Sequence, residues 1–142
     1  MSPKRERLLK CLVAAPLGAA FVAIGVRHFT EPSSFDDIVP AYLGWPRFWT
    51  YASGLFEVTL GAGLCAPAAR AISAKMLIYL VLLMSLANFN MWWNDLEFNG
   101  TRLSSTGHLI RLAIQITLLA TLLWLSKRCE DEVAARASDD TT

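Results

Sequence analysis

Long apolar runs alternate along this chain with short charged clusters. The first run extends from Leu8 to about Phe29, interrupted only by Lys10 near its start and the Arg27-His28 pair at its end. The second covers about Phe48 to Ala68 and holds one acid, Glu57. The third covers Ala71 to Trp93, with Lys75 near its start and Asn88 and Asn90 near its end. The fourth covers about Gly107 to Leu125 and contains His108, Arg111 and Gln115. Each run is close to the roughly 20 residues that cross a hydrocarbon core as a helix. With no water at that depth the backbone must satisfy its own hydrogen bonds, so the runs should be helical. The expected fold is all-α: a four-helix transmembrane bundle with helices at about 8–29, 48–68, 71–93 and 107–126 inside a domain of residues 1–128. Residues 129–142 are expected to form a polar, partly disordered cytoplasmic tail.

Composition strengthens this picture. Hydrophobic residues make up 54% of the 142 residues and charged ones 18%, below the quarter usual for soluble domains. Mean hydropathy is +0.39. The net charge of +1 and the lack of a basic stripe with interleaved aromatics argue against nucleic acid as a partner. The first run is longer than a signal-peptide core and no clear small-x-small cleavage site follows it, so it should be retained.

Lys and Arg in the short flanks set the orientation. Lys4, Arg5, Arg7 and Lys10 precede the first run, Arg70 and Lys75 flank the second connection, and Lys127 and Arg128 follow the fourth run. The other connections carry Glu31, Asp36, Asp37 and Arg47, or Asp95, Glu97 and Arg102. The expectation is N-in and C-in, with both termini cytoplasmic in a plasma membrane. The first outer loop should be structured: Ser33 and Ser34 could cap a short helix, and Pro40 and Pro46 punctuate the remainder of the loop. Phe35, Tyr42, Trp45, Phe48 and Trp49 could form a headgroup-level aromatic belt or a lid over the outer mouth. Cys11, Cys65 and Cys129 fall near the cytoplasmic ends, without a Cys-x-x-Cys pair. They read as inert or juxtamembrane thiols, with reversible acylation open.

Ionisable groups inside a span cost roughly 2.5–3.5 kcal/mol each near its centre on insertion scales, so they usually face inward and pair. Glu57 lies ten residues beyond Arg47, about 15 Å along a helix axis. Almost all intramembrane polar groups fall in the outer half. His108, Arg111 and Gln115 share one helical stripe. Ser53, Gly54, Glu57 and Gly61 form a small and polar stripe; Ser85, Asn88 and Trp92 a third; Gly18, Phe21, Gly25 and His28 a fourth. If all four point inward, Glu57 pairs with Arg111, with Arg27 or His28 as a second partner. The candidate pocket is therefore Arg27, His28, Glu57, Asn88, His108, Arg111 and Gln115. It would be either a register-setting ion-pair network or a polar pocket for a quinone ring or lipid headgroup. No metal-ligand spacing, haem motif or nucleophile–base motif is present, so no catalytic or metal residue is assigned.

Gly25-Val26-Arg27-His28-Phe29, with Pro32, Phe35 and Ile38-Val39-Pro40, resembles the first helix and outer loop of DoxX-like membrane proteins. Ser53-Gly54-Leu55-Phe56-Glu57, Gly61, Pro67 and Arg70 resemble their second helix and inner turn. Ala87-Asn88 with Met91 resembles the end of their third. The resemblance covers about Leu8 to Leu125. It implies a four-helix membrane bundle, an accessory role beside a quinone-linked oxidoreductase or in assembly, and recurring polar positions at His28, Glu57 and Asn88. The functions it leaves open are an accessory protein binding a quinone-like, lipid-soluble molecule, a non-enzymatic assembly or interaction protein, and a small proton-coupled transporter. A pairing Arg111 would keep Glu57 ionised, which counts against the transporter. Partners would be the lipid bilayer and a membrane protein or a second copy. The third connection, from about Asn94 to Thr106, departs from the family pattern.

Overall fold

The computed structural model describes residues 2–98 and 100–127, so Cys129 and the expected tail lie outside the described residues. Among the described residues, five α-helices follow one another: α1 (Pro3–Thr30), α2 (Pro32–Asp36), α3 (Pro46–Cys65), α4 (Pro67–Trp93) and α5 (Ser105–Ser126), with a 3-10 turn at Ala41–Leu43. The helix ends follow local chemistry more than hydropathy. The second and third apolar runs do not divide at residues 68 and 71. Pro67 lacks an amide hydrogen and pushes the preceding residue out of the helical region, so Ala66 is extended (φ −87°, ψ 115°) and α4 starts on the proline. α1 begins at Pro3 and runs through Pro16 without a break. Ser33 and Ser34 are not caps: Pro32 opens α2, which places both serines inside it.

Among the described residues, three helical segments are long and apolar enough to cross a membrane: Lys4–Thr30, Pro67–Trp93 and Ser105–Ser126, whose most apolar 18-residue stretches have mean hydropathies of 2.0, 1.8 and 1.8. α3 is not among them, a correction to the expected four. Its inward stripe consists of Thr50, Gly54, Glu57, Gly61 and Leu64, and these small and polar residues lower its hydropathy. Large apolar side chains such as Leu8, Ile72, Tyr79, Ile114 and Leu123 are exposed over the outer faces, more than a water-facing monomer usually shows.

α1 and α3 pack antiparallel through two glycine pairs. A Cβ on Gly18 would lie 2.5 Å from the Gly61 carbonyl oxygen, and one on Gly25 would lie 2.8 Å from that of Gly54. The pairs are seven residues apart on each helix, hence on one face. Small residues of this kind let helix backbones approach closely in lipid. α3 also packs on α4, and α4 on α5. α5 stands away from α1, leaving an apolar furrow lined by Leu12, Pro16, Ile110 and Thr117 among others.

The apolar core joins Ala14, Phe21, Leu64, Ala74, Leu77, Leu122 and Leu125. At the end where α1 begins and α5 ends it is closed by two buried cations, Lys10 and Arg70, 2% and 5% exposed. They are not flanking charges in water. Lys10 Nζ donates to the Lys127 carbonyl at 2.6 Å, pairs with Glu6 at 2.9 Å and lies over the Trp124 ring. Arg70 Nε donates to the Leu64 carbonyl at 3.1 Å, and its Nη2 reaches Cys11 Sγ at 3.3 Å. Each cation thus meets a carbonyl left unpaired at the C-terminal end of α5 or α3, where the helix dipole is negative.

Candidate functional site

The opposite end of the bundle holds the candidate residues, in two clusters. The first grows from the glycine contact. With α1 and α3 held close at Gly25 and Gly54, His28 and Glu57 face one another, both 2% exposed. His28 Nδ1 lies 2.9 Å from the Ile24 carbonyl. A carbonyl only accepts, so Nδ1 carries the hydrogen and Nε2 is left as an acceptor. Glu57 Oε2 is 3.2 Å from Nδ1, yet it has no hydrogen-bond partner, since that hydrogen is committed to Ile24.

The first connection folds over this pair as a lid. Phe35 stacks on the His28 imidazole, with centroids 3.7 Å apart. Ile38 and Pro40 are buried, and Asn90 Nδ2 donates to the Ile38 carbonyl at 3.1 Å. Asp36 latches the lid to α3. It accepts from Thr50 Oγ1 at 2.6 Å and from Arg47 Nε at 2.7 Å. Trp49 Nε1 donates to the Leu43 carbonyl. Between them Trp45 adopts a left-handed conformation (φ 43°), an outlier for a bulky residue. Of the aromatic residues, Phe35 belongs to the lid, whereas Tyr42, Trp45 and Phe48 stay on the outside.

Under the lid is a cavity of about 140 Å³. Its polar edge is His28, Thr50 and Ser53, and the rest is apolar, including Ile38, Pro40, Met84 and Ala87. The Thr50 and Ser53 hydroxyl hydrogens are engaged, by Asp36 and by the Thr50 carbonyl. What the hydroxyls offer the cavity is lone pairs. His28 adds its Nε2 acceptor, so the polar edge favours a ligand that donates. Phe56, Leu83 and Leu86 line the same cavity and are exposed on the outer face, which gives it a lateral rim between α3 and α4.

The second cluster lies between α4 and α5. Asn88 Nδ2 donates to Gln115 Oε1 at 3.2 Å, and Gln115 Nε2 donates to Ser85 Oγ. His108 stacks on Trp92, with centroids 5.4 Å apart. Arg111 Nη1 contacts Met91 Sδ at 2.9 Å, and the guanidinium lies over Phe98. Ser85, Asn88, Trp92, His108, Arg111 and Gln115 line a groove of about 310 Å³.

The seven sequence-derived candidates therefore do not form one pocket. Among the described residues Glu57 has no ion pair with Arg111; its titratable neighbour is His28. Arg27 is outside both clusters, half exposed and paired with Glu31 at 2.8 Å. With Arg111 elsewhere, its objection to a proton-carrying Glu57 falls away. The two clusters meet through rings: Phe35 meets Phe98 edge-on at 5.5 Å, and Phe98 in turn lies under Arg111. Phe98, Asp36 and Met91 escape the sequence argument. Its standing as the lone aromatic residue in the third connection is the available signal for Phe98. That connection is shaped by a bridge between Phe98 and Thr101 and by Arg102, which pairs with Asp95 and Glu97. The Glu97 hydrogen bond, and then the Asp95 charge, raise the Arg102 pKa above its ordinary value.

Residues 17–126, most of the chain, match the family model DUF8561, a domain of unknown function. No curated protein and no solved structure matches the chain.

Proposed function

This chain belongs to the DUF8561 family, a domain of unknown function, and from that premise we propose that it is a multi-pass membrane protein that receives the ring of a lipid-soluble molecule under its lid. The observation carrying this reading is the cavity of about 140 Å³ lined by His28, whose neighbour Glu57 holds a buried carboxyl oxygen without a hydrogen-bond partner. An apolar cavity of about 150 Å³ accepts a benzene ring, so the volume suits one ring and leaves any tail in the bilayer beyond Phe56, Leu83 and Leu86. The acceptor-rich edge favours a hydroxyl donor, as on a quinol or a phenol, over a quinone carbonyl.

In this reading α3 is the fourth crossing. Its 20 residues span about 30 Å, and its polar stripe faces α1 and α4 instead of lipid. Lys4, Arg5, Arg7 and Lys127 favour cytoplasmic termini in a plasma membrane. The DoxX-like resemblance supports an accessory role in a membrane redox or assembly system, beside a membrane protein partner or a second copy, with no catalysis of its own. The test is gentle purification followed by mass spectrometry of bound small molecules. Recovery of a ring compound at near one per chain supports the reading, and preparations carrying none sink it.

A second reading is favoured by the position of His28 and Glu57 directly against the Gly25–Gly54 contact: the pair would only fix helix register in an assembly protein. A third, proton-coupled transport through Glu57, regains ground once Arg111 is removed from its surroundings. Absence of pH-driven flux in proteoliposomes would end it.

A further inference from the structure

We propose that the groove between α4 and α5 holds the phosphate headgroup of an anionic lipid, gripped by Arg111. At the lid end of the molecule the other arginines each hold a carboxylate: Arg27 with Glu31 at 2.8 Å, Arg47 with Asp36 at 2.7 Å, and Arg102 with Asp95 at 3.1 Å and Glu97 at 3.0 Å. Arg111 differs. Among the described residues it has no carboxylate within 4.0 Å, and its polar contact is the Met91 thioether, a weak acceptor. A guanidinium has five donor hydrogens in a fork that matches phosphate oxygens. Most of that capacity is unused, in a half-buried position where an unpaired charge is costly.

The surroundings suit an anion. Asn88 gives one amide hydrogen to Gln115 Oε1 and has a second to give, while Gln115 Nε2 is held by Ser85 Oγ and the Val81 carbonyl and so fixes the Asn88 amide in place. His108 stands on the same wall of the groove. Arg111 lies six residues into α5 from Ser105, about 9 Å along the axis, a depth that a headgroup phosphate reaches. A lipid fits better than free phosphate because the lips are apolar. Phe89 and Leu112 line the groove and are exposed on its outer side, where acyl chains would lie. Both flanking helices are apolar enough to cross a membrane. This site does not depend on the ring cavity, which lies between the lid, α3 and α4.

The full chain in detergent should be examined by native mass spectrometry with three probes: phosphatidylglycerol, phosphatidylcholine with the same acyl chains, and inorganic phosphate. The wild-type protein should retain phosphatidylglycerol about tenfold over phosphatidylcholine, the scale of one charge-assisted contact. Arg111→Gln should lose that preference, Arg111→Lys should keep part of it, and Arg27→Gln should keep it whole. Equal retention of the two lipids by the wild type overturns the proposal, and this arm needs no variant to fold. A preference that survives in Arg111→Gln also overturns it. Displacement of phosphatidylglycerol by inorganic phosphate at equal concentration would overturn the lipid source in favour of a soluble anion.

Discussion

His28 Nδ1 and Glu57 Oε2 are 3.2 Å apart and do not hydrogen-bond, because the Nδ1 hydrogen is directed to the Ile24 carbonyl. Proximity without a bond is informative here. A pair that existed to lock two helices together would be expected to satisfy both partners, since a half-satisfied buried network is worse than an apolar one. The orphaned oxygen instead sits against His28, which lines the lid cavity.

That distinction makes Glu57→Gln the first decisive variant. The amide keeps the shape of the carboxyl and adds no charge, so thermal stability in detergent should stay within about 1 kcal/mol of wild type or rise. Retention of the ring compound should fall at the same time. A loss of more than about 3 kcal/mol, the scale of breaking a true buried pair, would instead assign the carboxylate to holding α1 and α3 in register.

Gly25→Ala tests the contact that creates the site. The added Cβ would sit 2.8 Å from the Gly54 carbonyl oxygen and 2.9 Å from both Glu57 Cβ and Val58 Cγ2. Backbone on one side and a helix-anchored Cβ on the other leave little room to yield. The expected cost is about 1–3 kcal/mol, read as a lower midpoint of thermal unfolding in detergent. Ligand retention should fall with it, because separating α1 from α3 also separates His28 from Glu57. An unchanged midpoint would show that the two helices are not in close contact there.

Three of the long helices are legible from hydropathy, as runs apolar enough to cross a bilayer as helices, and α3 from its length and apolar outer face despite its polar stripe. The boundary between α3 and α4 is less so, because the apolar run continues through Ala66 and Ala68 while the backbone break depends on Pro67 alone. The inward stripes are legible too: His28 with Gly25, and Asn88 with Ser85, do share faces. Pairing between helices is not. A stripe says which face points inward but not the order of helices around the bundle, and here α1 pairs with α3 while α4 pairs with α5. That order separates Glu57 from Arg111. Lys10 and Arg70 show the same limit, since nothing along the chain distinguishes a cation in water from one seated on a helix-end carbonyl.

Asp36 carries the lid. Its two oxygens hold Thr50 and Arg47, tying α2 to the first turn of α3. Asp36→Ala removes both bonds at once. Hydrogen exchange at amides 33–43 should speed up by about tenfold to a hundredfold, corresponding to 1.5–3 kcal/mol for a charged hydrogen bond. The spanning segments of α4 and α5 should exchange as in wild type. Uniform acceleration across the chain would mean that Asp36 supports the whole bundle rather than the lid, and the lid would then not be a separate opening unit.

Ala87→Leu addresses the cavity without touching its polar edge. Ala87 lines the cavity from α4, facing the lid, and a leucine there adds three carbons to a space of about 140 Å³. Because the added carbons enter a cavity rather than packed side chains, overpacking should cost less than the roughly 1–3 kcal/mol typical of a close-packed core, and the buried methyl groups should offset part of that cost. A ring-sized ligand should nevertheless lose its room, with retention falling at least tenfold. Ala120→Leu, on the exposed face of α5, should leave retention unchanged. If Ala87→Leu still carries the ring compound at wild-type level, the compound binds elsewhere, and the lid cavity is packing space rather than a binding site.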